Sequence, residues 1–374
     1  MRQLVESIHG DVERGFYDGA VVMVARGGRV ECCEAVGYAD RDSGRAMRED
    51  DVFAIYSIAK AMTSVTVLQG IEKGAYTLRT PVADLVPEFA AEDKGQVTIG
   101  QLLSHTGGMN GGLFPVPADT QGDLSVMVDA ACRSTLNAPP GERVSYSSGL
   151  SHAVLAEVVR RCDGGNIRFR DILARDLFDP LDMKESALGM RADLVARAVP
   201  VVVRDRATGT LDPDKLEEMG RQILDPAAET EIPSAGVVAT AADVFAFVEA
   251  LRQGGSLGKG RILSPATIAF ATQDHTGDRP SDLWTVAREL HGWPLCPANL
   301  GLGFFLRGTG DIPTPFGSLA SPTTFGATGA GSTVCWVDPE HDISFVCLTA
   351  GLLSFTKSML RFQRLADIAI SSLV

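Results

Sequence analysis

The sequence predicts an α/β fold of the α+β kind, in which a mixed antiparallel sheet is flanked by terminal helices and interrupted by a mostly helical domain. Three observations carry that expectation. Apolar β-prone runs cluster near both chain ends, around 20–36 and 333–348, and each end adds a stretch of helical spacing. From Ser57 to about Leu188 the spacing is mostly helical, with Pro and Gly as punctuation. Finally, 374 residues with 45% hydrophobic and 22% charged side chains can bury a sizeable core. At roughly 150 residues per domain, that length suggests two domains.

The elements follow in order. Arg2 to Phe16 has the spacing of a helix. Ala20–Ala25 and Val30–Val36 read as strands around Arg26-Gly27-Gly28-Arg29, and Gly-Gly between two such runs marks a tight hairpin. Helices are expected over Ala59–Glu72, Val97–Ser104, Leu124–Ala131, Ser151–Arg161 and Arg168–Leu177. Breaks fall at Pro81, Pro87, Gly107-Gly108, Pro139-Pro140-Gly141 and Pro180. Val201 to Ile232 carries no strong pattern. A helix over Ala241–Arg252 is ended by Gly254-Gly255. Thr333–Val337 and Ile343–Leu348 flank the turn-rich Asp338-Pro339-Glu340-His341-Asp342, and an amphipathic helix fits Ser354–Leu373. Hairpins from both ends suggest one shared sheet, so residues 1–56 and 217–374 form the sheet domain and 57–216 the helical one, with a cleft between them. No internal repeat appears.

Charge narrows the partners. Acidic side chains outnumber basic ones by 47 to 34, for a formal charge of −13, and no Lys/Arg run is present. Such a surface repels phosphate backbones and anionic lipid, so neither nucleic acid nor membrane is an expected partner. The start, Met1 to His9, lacks the apolar core of a secretory signal, and no apolar run approaches the roughly 18 residues needed to span a bilayer. Seven cysteines make an odd count, with no Cys-x-x-Cys pair and no His-rich cluster. That pattern reads as free thiols in a reducing compartment, with no metal and no cofactor. The expected location is the cytoplasm.

Chemistry begins at Ser57-Ile58-Ala59-Lys60. Positions i and i+3 share a helix face, so the Lys60 amine can reach the Ser57 hydroxyl. A serine hydroxyl needs a base to become a nucleophile, and lysine serves only if burial lowers its pKa from about 10.4 toward neutrality. Phe53, Ala54, Ile55, Ala59 and Ala61 supply apolar flanks. Near a helix start the Ser57 N–H is also an unpaired donor, of use to an oxyanion. The spacing alone does not single out Ser57, because Ser256-Leu257-Gly258-Lys259 and Ser354-Phe355-Thr356-Lys357 share it. The first of these lies in a Gly-rich turn, the second on the solvent-facing terminal helix.

Two further pieces supply context. Tyr146-Ser147-Ser148, on a loop before a helix, can place a phenol in a cleft as general acid/base if a nearby cation lowers its pKa; a tyrosine packed at a domain edge is the alternative. Phe325-Gly326-Ala327-Thr328-Gly329-Ala330-Gly331-Ser332 precedes a strand, and its small residues let a substrate approach the backbone. It can equally be a plain glycine-rich loop.

In this order the three pieces resemble the serine β-lactamase and penicillin-binding-protein-like superfamily. The closest likeness is to its class C-like branch, which includes family VIII carboxylesterases, D-aminopeptidases and related acyltransferases. The resemblance covers nearly the whole chain. Gly19 to Val24 with Gly37 to Asp40 is similar to the N-terminal hairpin, and Gln101-Leu102-Leu103-Ser104-His105-Thr106-Gly107-Gly108 to the segment after the nucleophile. Pro139-Pro140-Gly141 leads to Tyr146 as in the family. Pro233 to Thr240 resembles its later small-residue segment, and Gly301-Leu302-Gly303-Phe304 the strand before its third motif.

The resemblance implies a β-lactamase-like fold and assigns roles. Ser57 is the nucleophile, Lys60 its base partner and Tyr146 the proton shuttle to the leaving group. The oxyanion hole is formed by the backbone N–H groups of Ser57 and Ala330. Ser148, where the family often has asparagine, joins Ala327, Thr328 and Gly329 in contacting substrate. Ala327 is the departure: the third motif usually begins with Lys or His, which supports the tyrosine or a substrate carboxylate. Alanine does neither, which disfavours β-lactams. His105, read as a structural residue of its loop, could otherwise belong to a Ser-His-Asp triad. Gly254-Gly255-Ser256-Leu257-Gly258 fits Gly-x-Ser-x-Gly but lacks the strand before and the helix after. Trp284, Trp293 and Phe304-Phe305 are core by default and acyl-pocket candidates otherwise. The implied function is a serine hydrolase with a Ser57 acyl-enzyme, a carboxylesterase (EC 3.1.1) on neutral small-molecule esters. The alternatives are an acyltransferase, an amidase or D-aminopeptidase, a weak β-lactamase, or a ligand-binding pseudoenzyme.

Overall fold

A computed structural model describes residues 1–111, 116–206, 212–285, 288–289, 292–293, 295–310 and 314–374. Helix α1 (Arg2–Glu13) leads into strands β1 (Gly19–Arg26), β2 (Arg29–Asp40), β3 (Arg45–Ala46) and β4 (Phe53–Ala54). Next come α2 (Ile58–Glu72), α3 (Ile99–Leu103), α4 (Leu124–Arg133), α5 (Leu150–Cys162) and α6 (Phe169–Leu173), the last continuing as a π-helical turn over Ala174–Phe178. The chain goes on through β5 (Ala187–Leu188), α7 (Pro213–Leu224), β6 (Val237–Ala239), α8 (Ala241–Arg252), the hairpin β7 (Ser256–Leu257) and β8 (Gly260–Arg261), and α9 (Pro265–Ala271). It ends with β9 (Phe305–Leu306), β10 (Phe325–Gly329), β11 (Thr333–Asp338), β12 (Ile343–Ala350) and α10 (Phe355–Leu373).

The two chain ends build one sheet, in the order β3-β2-β1-β12-β11-β10-β9, with every neighbouring pair antiparallel. Its centre joins β1 to β12, with Gly19 opposite Ala350 and Arg26 opposite Ile343. The β1–β2 turn is the expected Gly-Gly hairpin, with Gly27 and Gly28 both at positive φ.

Side-chain parity explains why these strands read as unbroken apolar runs. Successive residues point to opposite faces, and here both faces are buried. Val22, Val24, Trp336, Phe345 and Cys347 face a core closed by Leu4, Ile8 and Val12 of α1 and Phe362, Leu365 and Ala369 of α10. Val21, Met23, Cys335, Val337, Val346 and Leu348 face the larger core, which continues through α2, α5 and α8. Cys32 and Cys33 fall on opposite sides of β2 as alternation requires, one buried and one half-buried.

Several expectations change. The helix expected over Val97–Ser104 is one turn, Ile99–Leu103, opened by a capping box in which Thr98 and Gln101 exchange hydrogen bonds. The strand placed at Gly301–Phe304 lies instead at Phe305–Leu306, because the Gly303 backbone turns through φ +89° against Ser64. Helix α7 falls in the segment without pattern. The terminal helix is half-buried rather than solvent-facing, with Met359, Phe362, Leu365 and Ile370 inside. Among the described residues, no helix is long and apolar enough to cross a membrane.

Candidate active site

The site is built where β4 hands the chain to α2. Phe53 and Ala54 pair with Ala239 and Val238 of β6, and the Ile55 N–H donates to Val237 O at 3.0 Å. Tyr56 then turns through φ +47°, a conformation that costs a non-glycine residue about 1–3 kcal/mol. Surrounding structure holds it there: the Tyr56 ring is buried and its hydroxyl donates to Leu216 O at 3.4 Å. The turn delivers Ser57 to the cap of α2, with its side chain at the cleft. Helix α2 is buried continuously from Ile58 to Gln69, and the polar side chains within that stretch, Lys60, Thr63, Ser64, Thr66 and Gln69, are hydrogen-bonded inside the core.

That burial sets the electrostatics of Lys60. Its amine lies one turn along α2 and is 4% exposed. Nζ donates to Ser57 Oγ at 2.9 Å and to the Ser234 carbonyl at 3.1 Å. Desolvation pulls the ammonium down to about 7, so at neutral pH a large share of Lys60 is the free amine. In that form the contact with Ser57 can reverse, the hydroxyl donating to the nitrogen.

The Tyr146 phenol lies near enough to Ser57 for the serine to draw its pKa down, and Lys60 Nζ sits 5.2 Å from the ring centroid. The expectation that a cation lowers its pKa is corrected here. Burial pushes the phenol up to about 12, outweighing the downward pull of Ser57. The lysine lies over the ring, and Tyr146 stays protonated at neutral pH.

His105 stands behind this group. It occupies φ +57°, its Nδ1 accepts the Ser147 N–H at 3.1 Å, and its carbonyl accepts the Ser145 N–H at 2.9 Å. Its ring lies 4.5 Å from that of Tyr146. Burial first, then the Lys60 charge, lower His105 to about 3, so it remains neutral. These contacts support the Tyr146 loop and bring no carboxylate to the imidazole.

On the facing wall, β10 ends against the Ser57 turn. A Cβ on Gly329 would meet the Ile55 carbonyl oxygen and Thr333 Oγ1, each at 2.2 Å, and Thr333 Oγ1 donates to that same carbonyl at 3.0 Å. Only glycine lets the two backbones come so close. Among the described residues, no backbone carbonyl takes the N–H of Ser57 or of Ala330. Ser148, Thr328, Gly329 and Ala330 line the cleft, and Ser148 Oγ donates to Gly111 O at 3.0 Å. Ala327 does not join them. Paired with Cys335 and 3% exposed, it packs into the larger core and lines, together with Ser57, Lys60 and Tyr146, a small pocket separate from the cleft. Strand parity, which alternates residues between faces, sends it there.

The cleft holds about 410 Å³ and is apolar along Leu216, Met219, Phe305, Phe355, Met359 and Phe362. Of the aromatic candidates only Phe305 lines it. Phe304 packs on Phe325, and Trp284 is buried with its indole N–H donating to Pro297 O at 3.0 Å. The other two Ser-x-x-Lys matches stand apart from Ser57: Ser256 is in the β7–β8 hairpin, and Lys357 pairs with Asp205 at 3.0 Å. Sequence reasoning missed Tyr56, Asp282 and the first turns of α10. Tyr56 directly precedes Ser57, the one signal within reach; an isolated aspartate and a distant helix offer none.

With the geometry in hand, comparison places the molecule among others. The family model described as Beta-lactamase matches residues 4–369. Penicillin-binding protein 4 of Amycolatopsis lactamdurans is 32% identical over 265 residues, covering 70% of this chain and 67% of its own. Esterase EstB of Burkholderia gladioli is 34% identical over 163 residues, 39% of this chain and 41% of its own. The solved structure of EstCE1, a hydrolase with promiscuous acyltransferase activity, superposes with a TM-score of 0.76 at 24% identity, covering 98% of both chains.

Proposed function

The chain belongs to the Beta-lactamase family and is a serine hydrolase of the esterase type, and from that premise we propose that it cleaves neutral small-molecule esters through an acyl-enzyme on Ser57. The observation that carries the reading is the 2.9 Å contact between Ser57 Oγ and a buried lysine amine poised near 7. The Lys60 amine takes the Ser57 proton as Oγ bonds to the ester carbonyl carbon. The N–H groups of Ser57 and Ala330 receive the developing oxyanion. As the carbon–oxygen bond to the leaving alcohol breaks, the Tyr146 phenol donates its proton to that oxygen and is reprotonated from Lys60. Water then attacks the acyl carbon, gives its proton back along the same route and releases the acid, restoring Ser57. A phenol raised to about 12 stays protonated until the departing alkoxide, a stronger base, takes its proton.

The same reading disfavours β-lactams. They carry a carboxylate, and among the described residues no Lys, Arg or His lines the cleft. All seven cysteines are free thiols, which supports a cytoplasmic location. A fluorophosphonate probe tests the reading. Wild type is expected to be labelled and Ser57→Ala not, with p-nitrophenyl butyrate turnover lost in parallel; equal labelling of both proteins overturns the assignment of Ser57.

A further inference from the structure

Among the described residues, the cleft wall carries one charged side chain. It belongs to Asp282, set within otherwise apolar or neutral surroundings. Its position is fixed by the segment that holds Tyr146. Ser281 forms a parallel bridge with Val144, the Val144 N–H donates to Pro280 O at 2.8 Å, and the Asp282 N–H returns to Val144 O at 3.2 Å. The carboxylate is tied in as well. Oδ2 accepts from Ser145 Oγ at 2.9 Å, and Oδ1 accepts the Tyr146 N–H at 3.4 Å. Each oxygen keeps lone-pair capacity, and the half-buried residue opens on the cleft.

We infer that Asp282 is a specificity-determining residue that selects esters bearing a cationic group, an ammonium a few bonds from the scissile carbonyl. The argument rests on the reading of Ser57 as the nucleophile. Tyr146 links the two positions, its backbone N–H on Asp282 and its phenol beside Ser57 in the cleft. A substrate whose carbonyl sits at Ser57 therefore has a carboxylate one tyrosine side chain away. A fixed negative charge on the cleft wall attracts cations and repels anions; the cation beside the reacting atoms, Lys60, is buried next to Ser57 and a large share of it is the free amine at neutral pH. The aromatic walls at Phe305 and Phe355 suit an alkylated ammonium better than a strongly hydrated one.

The test uses three thioesters with the same acyl group: butyrylthiocholine, its uncharged isostere S-(3,3-dimethylbutyl) thiobutyrate, and S-(3-sulfopropyl) thiobutyrate. In each, Ser57 Oγ bonds to the carbonyl carbon, the carbon–sulfur bond breaks, and the thiol released is read colorimetrically. The wild type is expected to favour the cation over the isostere in kcat/KM by about five- to thirtyfold at low ionic strength, with the anion poorest. The preference is expected to shrink in 0.5 M NaCl, where screening acts within a few ångströms. In Asp282→Asn the ratio is expected to fall toward one, while Asp282→Glu keeps most of it. Because a ratio is insensitive to the active fraction, partial misfolding does not blur it. A wild-type ratio of one or less, or an unchanged ratio in Asp282→Asn, overturns the inference. If Asp282→Asn does not fold, a wild-type ratio that is salt-independent overturns it instead. Hydrolysis of the isostere by Ser57→Ala would strike the underlying mechanism, a result distinct from any of these.

Discussion

Lys60 couples chemistry to stability through one proton. Its ordinary value is 10.5 and burial holds it near 7, so the folded protein binds fewer protons than the unfolded chain between those limits. Two outcomes follow, with opposite readouts. kcat/KM for a neutral ester should rise with pH about a midpoint near 7, as the free amine forms, and Lys60→Met should lose that limb with most of its rate. Stability runs the same way for a different reason. The burial penalty is complete below pH 7 and fades as pH climbs toward 10.5, where the unfolded lysine also loses its charge. The stability of wild type relative to Lys60→Met should therefore improve by several kcal/mol between pH 6 and 10, measurable by urea titration at each pH. A flat difference would mean that Lys60 is not the buried free amine described here.

Tyr146→Phe should cut turnover by about 10² to 10⁴-fold with little change in melting temperature, since the ring contacts survive and only the phenol is lost. Ala327 asks for the reverse pattern. The resemblance puts Ala327 in contact with substrate, at a position where the family usually has a Lys or His that supports the tyrosine or a substrate carboxylate. In the fold Ala327 is buried and lines a small pocket shared with Ser57, Lys60 and Tyr146, apart from the main cleft. Ala327→Lys should thus cost stability, by about 1–3 kcal/mol or more from overpacking and an unpaired buried amine, and should not improve β-lactam turnover. Soluble, fully stable Ala327→Lys with gained cephalosporinase activity would show that the strand presents this side chain to the cleft. The contact between Ser57 and Lys60 was legible from the sequence because one helical turn encodes it, whereas the proximity of Tyr146 came only with the resemblance. Ala327's direction was not legible, because it depends on which face of β10 is covered.

Among the elements, legibility tracks burial. Helix α8 was delimited correctly over Ala241–Arg252, with Thr240 capping through the Asp243 N–H and Gly254-Gly255 closing it. Helix α7 escaped although its signals are present: Asp212 caps, Pro213 occupies the first position, and Leu216, Met219 and Ile223 form the buried stripe. Gly220 obscures that stripe, and its reason is tertiary, since a Cβ there would meet Val201 Cβ at 2.5 Å. The end of β10 supplies the prediction at this scale. Gly329→Ala would drive a methyl group into the Ile55 carbonyl and Thr333 Oγ1, lifting the strand off the Ser57 turn. With Ala330 displaced as an oxyanion donor, kcat should fall by at least about 10²-fold, while KM changes far less. Normal kcat in a folded Gly329→Ala protein would remove β10 from the site.

Across the whole molecule, one helix serves two ends. Helix α10 covers the sheet beside α1, where Arg364 bonds Asp11, and its first turns wall the cleft with Phe355, Met359 and Phe362. Phe362→Ala should consequently weaken both, costing about 3–5 kcal/mol by cavity formation and shifting preference among p-nitrophenyl esters of graded chain length. A stability loss with an unchanged chain-length profile would confine Phe362 to the core.

The central pairing of β1 with β12 has a consequence for synthesis on the ribosome. Strand β1 emerges early, yet Arg26 must wait for Ile343 before that edge is hydrogen-bonded. At 5–20 residues per second the delay is roughly 15 to 60 seconds. Throughout it, Val21, Val22 and Val24 present an apolar ribbon with free N–H and C=O groups, a template for pairing with other nascent chains. A chain released after residue 340 should therefore sediment as aggregate or be recovered bound to a holdase, whereas the full-length product stays dispersed. Monomeric, dispersed 1–340 would mean that the hairpin shields its own edge during translation.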